Sequence, residues 1–206
     1  MKFYLSSYKL GNETEKLKKL IPQKKIGFIP NALDFSTADP IRKKKSIEMD
    51  IASLRELGLD VTIVDLKNYF NRHNDLKIKL DELGAIFICG GNVFVLRQAM
   101  KLSGLDQLLK EYIDNENFLY SGYSAAGCVL SANLKVYEIV DDATDTPYDE
   151  LKEVIWDGLG FINFAFMPHW DSNHPESAAI NKEIEFCRQN NIPYKAIRDG
   201  EVIMIV

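Results

Sequence analysis

Along most of the chain, short runs of apolar residues alternate with segments in which apolar residues recur at helical spacing. Residues 25–30, 61–66 and 85–89 form such runs, with few polar positions on either face. Between the first two, a predicted helix begins at Pro40 and ends at Gly58. Strands without a polar face that alternate with helices are typical of a mostly parallel sheet covered on both sides. The pattern therefore predicts a three-layer α/β/α fold.

Further apolar segments complete the predicted elements. Residues 118–123 are predicted to lead as a strand into a tight turn, and residues 129–133 to continue the helix that follows the turn. Residues 136–140 and 161–167 are predicted to form two more strands. The chain has 206 residues and shows no internal repeat or linker, so a single domain over residues 1–206 is expected.

Composition and charge exclude several classes of protein. The chain is 46% hydrophobic and 27% charged, as in ordinary globular proteins. Its net charge of −5 gives no electrostatic reason to expect nucleic acid or an anionic membrane as a partner. The three cysteines, Cys89, Cys128 and Cys187, are widely spaced and suggest no disulfide framework. The first apolar run is too short for a signal peptide, so a cytoplasmic location is expected.

Ser124 lies at the corner where the predicted strand 118–123 turns into a helix. Its neighbours Gly122, Ala125, Ala126 and Gly127 are small. Such a corner holds the serine side chain out of the sheet and directs the first free N–H groups of the helix at whatever the hydroxyl attacks. This is the arrangement of a nucleophile elbow. An ordinary strand-turn-helix joint with an incidental serine is the alternative.

A double glycine follows the predicted strand 85–89. Glycines at the carboxyl end of a parallel strand let the backbone approach a ligand closely, at the sheet edge where ligands of open α/β folds bind. The amide of Gly90 or Gly91 could then join the amide of Ala125 in stabilising an oxyanion. A tight turn that requires positive φ explains the same glycines without any chemistry.

His169 directly follows the predicted strand 161–167 and is the candidate general base for Ser124. A serine needs a base within hydrogen-bond distance, and the base needs a carboxylate that fixes its tautomer. Asp142 is our choice for that carboxylate, although Asp141 remains open. The order serine, aspartate, histidine is the one used by other elbow hydrolases.

A metal site is an alternative interpretation of the segment after residue 168. His169, Asp171 and His174 are close together and are chemically suitable ligands. Their spacing is not that of a helical H-E-x-x-H motif, and no further histidine or cysteine completes the set. We therefore expect neither a metal nor another cofactor, and His174 is expected to cap a helix or line a pocket.

Three motifs in this order resemble one known family. Gly90-Gly91-Asn92, with Phe94 and Leu96, is similar to the G-G-N-x-F-x-L signature of the peptidase E family of serine peptidases, which contains aspartyl dipeptidases and cyanophycinases. The segments Gly122-Tyr123-Ser124-Ala125 and Pro168-His169 resemble its elbow and its histidine motif. The resemblance implies a fold like that of the class I glutamine amidotransferases. It also implies Ser124 as nucleophile, His169 as base, an acidic third member downstream of the elbow, and the amides of Gly91 and Ala125 as oxyanion donors.

The sequence departs from the family pattern at two places. Ala126 stands where the family has glycine, and it would be strained if it required positive φ. The aspartyl dipeptidases use an arginine, after the histidine motif, to pair with the substrate's aspartate, but here residues 180–183 are Ile-Asn-Lys-Glu. Lys182 is at most a weaker substitute, because lysine cannot form a bidentate pair with a carboxylate. Asn92, Lys182 and His174 are the candidate substrate-binding residues.

Together these observations predict a serine peptidase that hydrolyses short peptides through an acyl-enzyme. It is expected to be dipeptidase-like and not restricted to N-terminal aspartate. A catalytically silent relative that binds a small peptide or amide is the alternative. A glutaminase is disfavoured because it would need cysteine at position 124. The sequence leaves open whether the chain works alone or as a homodimer.

Overall fold

The computed structural model describes residues 1–205 and contains two sheets. The strands are β1 (Lys2–Ser6), β2 (Lys25–Ile29), β3 (Asp60–Ile63), β4 (Ala85–Ile88), β5 (Leu119–Tyr123), β6 (Ala165–Met167), β7 (Tyr194–Ala196) and β8 (Val202–Ile205). The helices are α1 (Thr14–Leu20), α2 (Pro40–Glu56), α3 (His73–Leu83), α4 (Val93–Ser103), α5 (Leu105–Glu111), α6 (Ala125–Cys128) and α7 (Ser177–Gln189).

The main sheet has six strands in the order β3-β2-β4-β5-β1-β8. All its neighbouring pairs are parallel except β1 with β8, which is antiparallel. Strand β8 therefore forms one edge of the main sheet, beside β1. Helices flank the sheet, as predicted for an α/β fold, and none of those in residues 1–205 has both the length and the apolar character needed to cross a bilayer.

The central strands are buried on both faces, which explains why their sequences lack a polar side. Every residue of β4 and β5 is buried, and the core contains large side chains such as Phe28, Phe87 and Tyr120. Burial of apolar surface on this scale is the main free energy that drives folding. It also fixes the carboxyl ends of β1, β4 and β5 side by side at one edge of the sheet.

Three predicted elements differ from the structure. Residues 136–139 lie in a 3-10 helix, Lys135–Ile139, which Val140 caps, and none of the residues 136–140 lies in a strand. Helix α6 ends at Cys128, so residues 129–133 do not continue it as predicted. The apolar run 161–167 contributes only the short strand β6, which pairs with β7 in a separate two-stranded sheet. The segment before β6 is apolar because it packs on the core, not because it pairs with a strand.

Candidate active site

Ser124 joins β5 to α6 in a conformation that few residues other than glycine adopt. Its φ is 50° and its ψ is −110°. The strained turn is held by backbone hydrogen bonds on both sides. The Ser124 N–H donates to the carbonyl of Ser6, at 3.2 Å, and the amides of Gly127 and Cys128 donate to the carbonyl of Ser124, at 2.8 and 3.1 Å. Strain that is retained at one serine is a feature of nucleophile elbows.

Small residues are required around this turn because other backbone passes close to it. A Cβ added to Gly122 would lie 2.3 Å from the carbonyl oxygen of Ile88 and 2.6 Å from the Cβ of Ala126. Ala126 itself is fully buried within α6 and does not have positive φ, so replacing the family's glycine with alanine introduces no backbone strain here.

The double glycine lies beside the elbow, at the carboxyl end of β4. Gly91 has a φ of 144°, and a Cβ at this position would lie 2.2 Å from the carbonyl oxygen of Ala32. The next residue, Asn92, donates its backbone N–H to the same carbonyl at 2.9 Å. Glycine is thus required at position 91 both for its φ and for the close approach of the loop at Ala32. Gly91 and Ser124 line the same cavity.

His169 is 1% exposed and faces a carboxylate that the sequence did not suggest. Its Nδ1 lies 2.7 Å from Oδ1 of Asp199, in the turn between β7 and β8. Ser7, just after β1, links the two residues. Its hydroxyl donates to Oδ1 of Asp199 and accepts from the backbone N–H of His169, both at 2.8 Å. Hydrogen bonds to the backbone N–H and to the ring Nδ1 of His169 therefore hold the imidazole in a fixed orientation.

The expected contact between Asp142 and His169 is wrong in this structure. Asp142 lies at the rim of the cavity, where its Oδ1 accepts hydrogen bonds from the backbone and hydroxyl groups of Thr144, at 2.9 and 2.7 Å. These bonds lower the pKa of the Asp142 carboxyl. Asp141 does not replace it, because its Oδ2 accepts from the N–H of Val93 at the start of α4. Both aspartates are thus used by the loop that borders the cavity.

Burial determines the protonation state of the base. Desolvation lowers the pKa of His169 below its ordinary value, and the hydrogen bond that His169 donates to Asp199 only partly opposes this effect. A neutral imidazole whose Nδ1 carries the proton donates to Asp199, and its Nε2, which lies 4.0 Å from Oε2 of Glu176, can accept a proton. This is the state that a general base requires.

Ser124 and His169 both line a cavity of about 580 Å³, within the usual range for small-ligand sites. The ring of His174 stacks on that of His169, with centroids 3.7 Å apart and an interplanar angle of 9°. Tyr8 packs against both imidazoles, with centroid distances of 5.9 and 5.6 Å. The aromatic group keeps water away from one side of His169, in agreement with the predicted pocket-lining position of His174.

The other two candidate substrate-binding residues lie in different environments. Asn92 caps α4, where its Oδ1 accepts from the amides of Phe94 and Val95 and its Nδ2 donates to the carbonyl of Asp142. Its side-chain polar atoms are thus used in holding the loop. Lys182 is exposed on α7 and does not line the cavity, whereas the adjacent Glu183 is buried. The expected contact of Lys182 with a substrate at Ser124 is therefore wrong.

The structure also changes which residues could bind a metal. Asp171 forms an ion pair with Arg198, with a distance of 2.6 Å between Oδ2 and Nη2. The potential ligands that converge are instead His169, His174 and Glu176, with one atom of each within 4.8 Å of the others. Nδ1 of His169 is used by Asp199, so this group overlaps the serine-centred arrangement.

Two members of the site, Asp199 and Ser7, were not predicted from the sequence. Asp199 precedes Gly200 in a turn, and an Asp-Gly pair before an apolar run indicates a turn without any further signal. Ser7 follows β1, and its position beside the elbow depends on the pairing of β1 with β5. A search for polar residues just after each predicted strand would have found Ser7 but not Asp199.

The geometry brings a hydroxyl and a neutral imidazole to one cavity and pairs the imidazole with a carboxylate. Such a set can supply a nucleophile, a base and a group that orients the base.

Comparison with known proteins agrees with this chemistry. The chain is 28% identical over 174 residues to an uncharacterized peptidase from Listeria innocua, covering 84% of this chain and 68% of the relative. It is 25% identical over 186 residues to a protein named Peptidase E from Streptomyces coelicolor, covering 88% and 68%.

Among solved structures, a candidate peptidase E protein from Listeria monocytogenes EGD-e matches with a TM-score of 0.72 and 23% identity, over 99% of this chain and 97% of that one. This structural similarity supports the α/β fold described above. The model of peptidase family S51 matches residues 6–206. The chain therefore belongs to peptidase family S51, the peptidase E family, and is a serine-type peptidase.

Proposed function

We propose that this peptidase hydrolyses short peptides, in the manner of a dipeptidase, through a triad of Ser124, His169 and Asp199. The observation that carries the proposal is the pairing of the buried His169 with Asp199, because only a base with a fixed tautomer can activate the serine that lines the same cavity. The cavity volume of about 580 Å³ suits a small ligand better than a long polypeptide.

In the proposed reaction, Nε2 of His169 takes the proton of the Ser124 hydroxyl as the oxygen attacks the peptide carbonyl. The amides of Gly91 and Ala125 hold the oxyanion. The imidazolium then gives its proton to the leaving amine, and an acyl-enzyme remains on Ser124. Water, deprotonated by His169, attacks the ester and releases the acid. Asp199 stabilises the imidazolium in both steps.

The proposal is tested by covalent labelling with a fluorophosphonate, combined with a dipeptide assay. We expect the native protein to be labelled and Ser124→Ala to be unlabelled and inactive. Ser53→Ala is the matched control, since the Ser53 hydroxyl donates to the carbonyl of Met49 in α2, away from the cavity. Labelling that persists in Ser124→Ala would overturn the assignment. A native protein that is neither labelled nor active would support the alternative of a silent peptide-binding relative.

A further inference from the structure

A second, much smaller cavity lies directly beside the nucleophile. It has a volume of about 20 Å³ and is lined by residues of the elbow, of the histidine segment and of α7, among them Ser124, Ala125, Pro168, Glu176, Ile180 and Glu183. A cavity of this volume has room for about one water-sized group. Ser124 lines both this cavity and the large one, so a substrate that reacts with its hydroxyl lies at the junction of the two.

Glu183 gives this cavity an unusual chemical character. The residue is 1% exposed, and its Oε2 has no hydrogen-bond partner within residues 1–205. A buried carboxyl oxygen without a partner destabilises a fold unless something else is gained. Glu183 lies at the middle of α7, where Ile180 and Ile184 complete a buried face that an apolar side chain could equally occupy. Packing alone therefore does not explain a glutamate at this position.

Two more carboxyl groups adjoin Glu183 on the cavity wall, from Asp141 and Glu176. Burial raises the pKa of Asp141 to about 7 and that of Glu183 to about 9, and the negative charges of their neighbours add to both shifts. At neutral pH, Glu183 thus holds its proton and can donate as well as accept a hydrogen bond. A further carboxylate brought into this cavity would lose its hydration and meet the negative charges of Glu176 and of ionised Asp141, whereas neutral Glu183 would not repel it.

We propose, on the basis of the proposed function, that the small cavity receives the terminal polar group of the side chain of the substrate residue whose carbonyl Ser124 attacks, while the rest of that side chain stays in the large cavity. It selects a short side chain that ends in an uncharged hydrogen-bonding group, with asparagine as the best fit, and it rejects aspartate. The Cα of this residue is bonded to the reacting carbon, so its side chain begins beside Ser124, where the cavity opens. The NH2 or the carbonyl oxygen of a side-chain amide is about the size of a water molecule, and either can pair with the Glu183 carboxyl, which donates as well as accepts.

Three dipeptides with the same leaving residue, Asn-Leu, Asp-Leu and Ala-Leu, test the proposal by their kcat/KM values at pH 7.5. Asn and Asp have nearly the same shape, and Ala provides a reference that cannot pair with Glu183. We expect native enzyme to prefer Asn-Leu over Ala-Leu by up to about tenfold, from one hydrogen bond to Glu183. Asp-Leu is expected to be slower than Ala-Leu by a similar factor, because its carboxylate must be desolvated near like charge.

Two substitutions at Glu183 separate recognition from packing. Glu183→Gln keeps the shape and the hydrogen-bonding groups, so the preference for Asn-Leu over Ala-Leu should remain. Glu183→Met removes both groups at similar length, so this preference should fall to about onefold to twofold. A residue with only a structural role would lower kcat/KM for all three dipeptides by the same factor, and that result would overturn the proposal.

Fluorophosphonate labelling distinguishes a failure of this proposal from a failure of the triad. If Ser124 is labelled and Asp-Leu is hydrolysed as fast as Asn-Leu, the subsite assignment is wrong while the triad stands. If native protein is not labelled, the proposed function fails, and the subsite assignment fails with it.

Discussion

Nδ1 of His169 lies 2.7 Å from Oδ1 of Asp199, and both residues lie in turns that follow strands of the two-stranded sheet. His169 follows β6 of the two-stranded sheet, and Asp199 immediately precedes the return of the chain to the main sheet as β8. The backbone N–H of Trp170 donates to the carbonyl of Ile197 and draws the two loops together. His169 is thus oriented where the two sheets meet, by contacts between the segment after β6 and the turn before β8.

This relationship predicts which aspartate supports the reaction. In Asp199→Asn, the side chain keeps its shape, but the charge that stabilises the imidazolium and fixes its tautomer is lost. We expect kcat/KM for a dipeptide to fall by roughly 10²–10⁴, the range typical of such a loss in serine hydrolases. Fluorophosphonate labelling of Ser124 should slow in parallel, which a stopped-time gel assay measures.

Asp142→Asn provides the comparison for this experiment. The Asp142 carboxylate bonds only to Thr144 among the side chains of residues 1–205, so its loss should disturb the rim loop and change kcat/KM by less than about fivefold. If kcat/KM falls further in Asp142→Asn than in Asp199→Asn, Asp142 supports the base, as the sequence suggested, and the role given to Asp199 is wrong.

The pH dependence of the reaction follows from the burial of His169. Desolvation lowers the pKa of this imidazole below 6.5, and only the neutral ring can take the serine proton. We therefore expect kcat/KM to be constant near neutrality and to fall at acid pH, with an apparent pKa below 6.5. The charge and hydrogen bond of Asp199 raise the pKa of His169, so Asp199→Asn should move this acid limb to still lower pH.

A pH-rate profile of the native enzyme and of Asp199→Asn checks both statements. The profile should be recorded with a dipeptide whose own groups do not titrate in the same interval. An acid limb that moves to higher pH in the variant would show that Asp199 does not act on the titrating base.

Sequence reasoning succeeded where a function depends on residues that are neighbours in the chain. The elbow at Ser124 and the histidine after a buried strand are local patterns, and the parallel sheet follows from strands without a polar face. Asp199 could not be found in this way, because its partner is set by the antiparallel return of β8 to β1. A two-residue change in that register would place a different side chain at His169.

The predicted strand over residues 136–140 failed for a related physical reason. Val136 and Tyr137 are typical strand residues, and propensity alone favours that structure. In the fold, both side chains are buried, and the Tyr137 hydroxyl lies 2.7 Å from that of Ser131 and accepts from the N–H of Phe166 at 3.0 Å. Tertiary packing and these hydrogen bonds stabilise a 3-10 helix there, and none of them is visible in the local sequence.

Gly91→Ala tests the proposed oxyanion site. A Cβ at residue 91 would lie 2.2 Å from the Ala32 carbonyl oxygen, and φ of 144° is unfavourable for alanine. The loop must shift, so its amide no longer points where the oxyanion forms. We expect kcat/KM to fall by about 10²-fold or more, as for loss of one oxyanion donor, together with a destabilisation of about 1–3 kcal/mol.

Gly160→Ala is the matched control for this variant. Gly160 also has positive φ, at 69°, but a Cβ there would have no neighbour within 4 Å. It should show backbone strain in thermal unfolding without a comparable loss of kcat/KM. If Gly91→Ala retains native kcat/KM at a temperature well below its Tm, the amide of Gly91 is not an oxyanion donor.

The buried carboxyl of Glu183 makes stability fall as pH rises. Its pKa in the folded protein, about 9, exceeds the ordinary value of 4.5, so the folded state holds the proton more tightly than the unfolded chain. The stabilisation is fully present below about pH 4.5 and is lost as pH rises toward 9. Glu183→Gln cannot ionise, so its Tm should exceed that of the native protein by a margin that grows with pH. At roughly 1.4 kcal/mol per pKa unit and about 2–4 °C per kcal/mol, the margin should widen by at least about 5 °C between pH 5 and pH 9.

Thermal unfolding followed by circular dichroism across this pH range measures the difference. Burial also raises the pKa of Asp141, and the charge of Asp141 raises that of Glu183, so the difference in Tm reports the ionisation of Glu183 together with its coupling to Asp141. Glu185→Gln, at an exposed position of the same helix, is the control and should parallel the native curve. If the curves of Glu183→Gln and the native protein are parallel from pH 5 to 9, Glu183 is ionised in the folded state, and the hydrogen-bonding role given to it in the small cavity loses its physical basis.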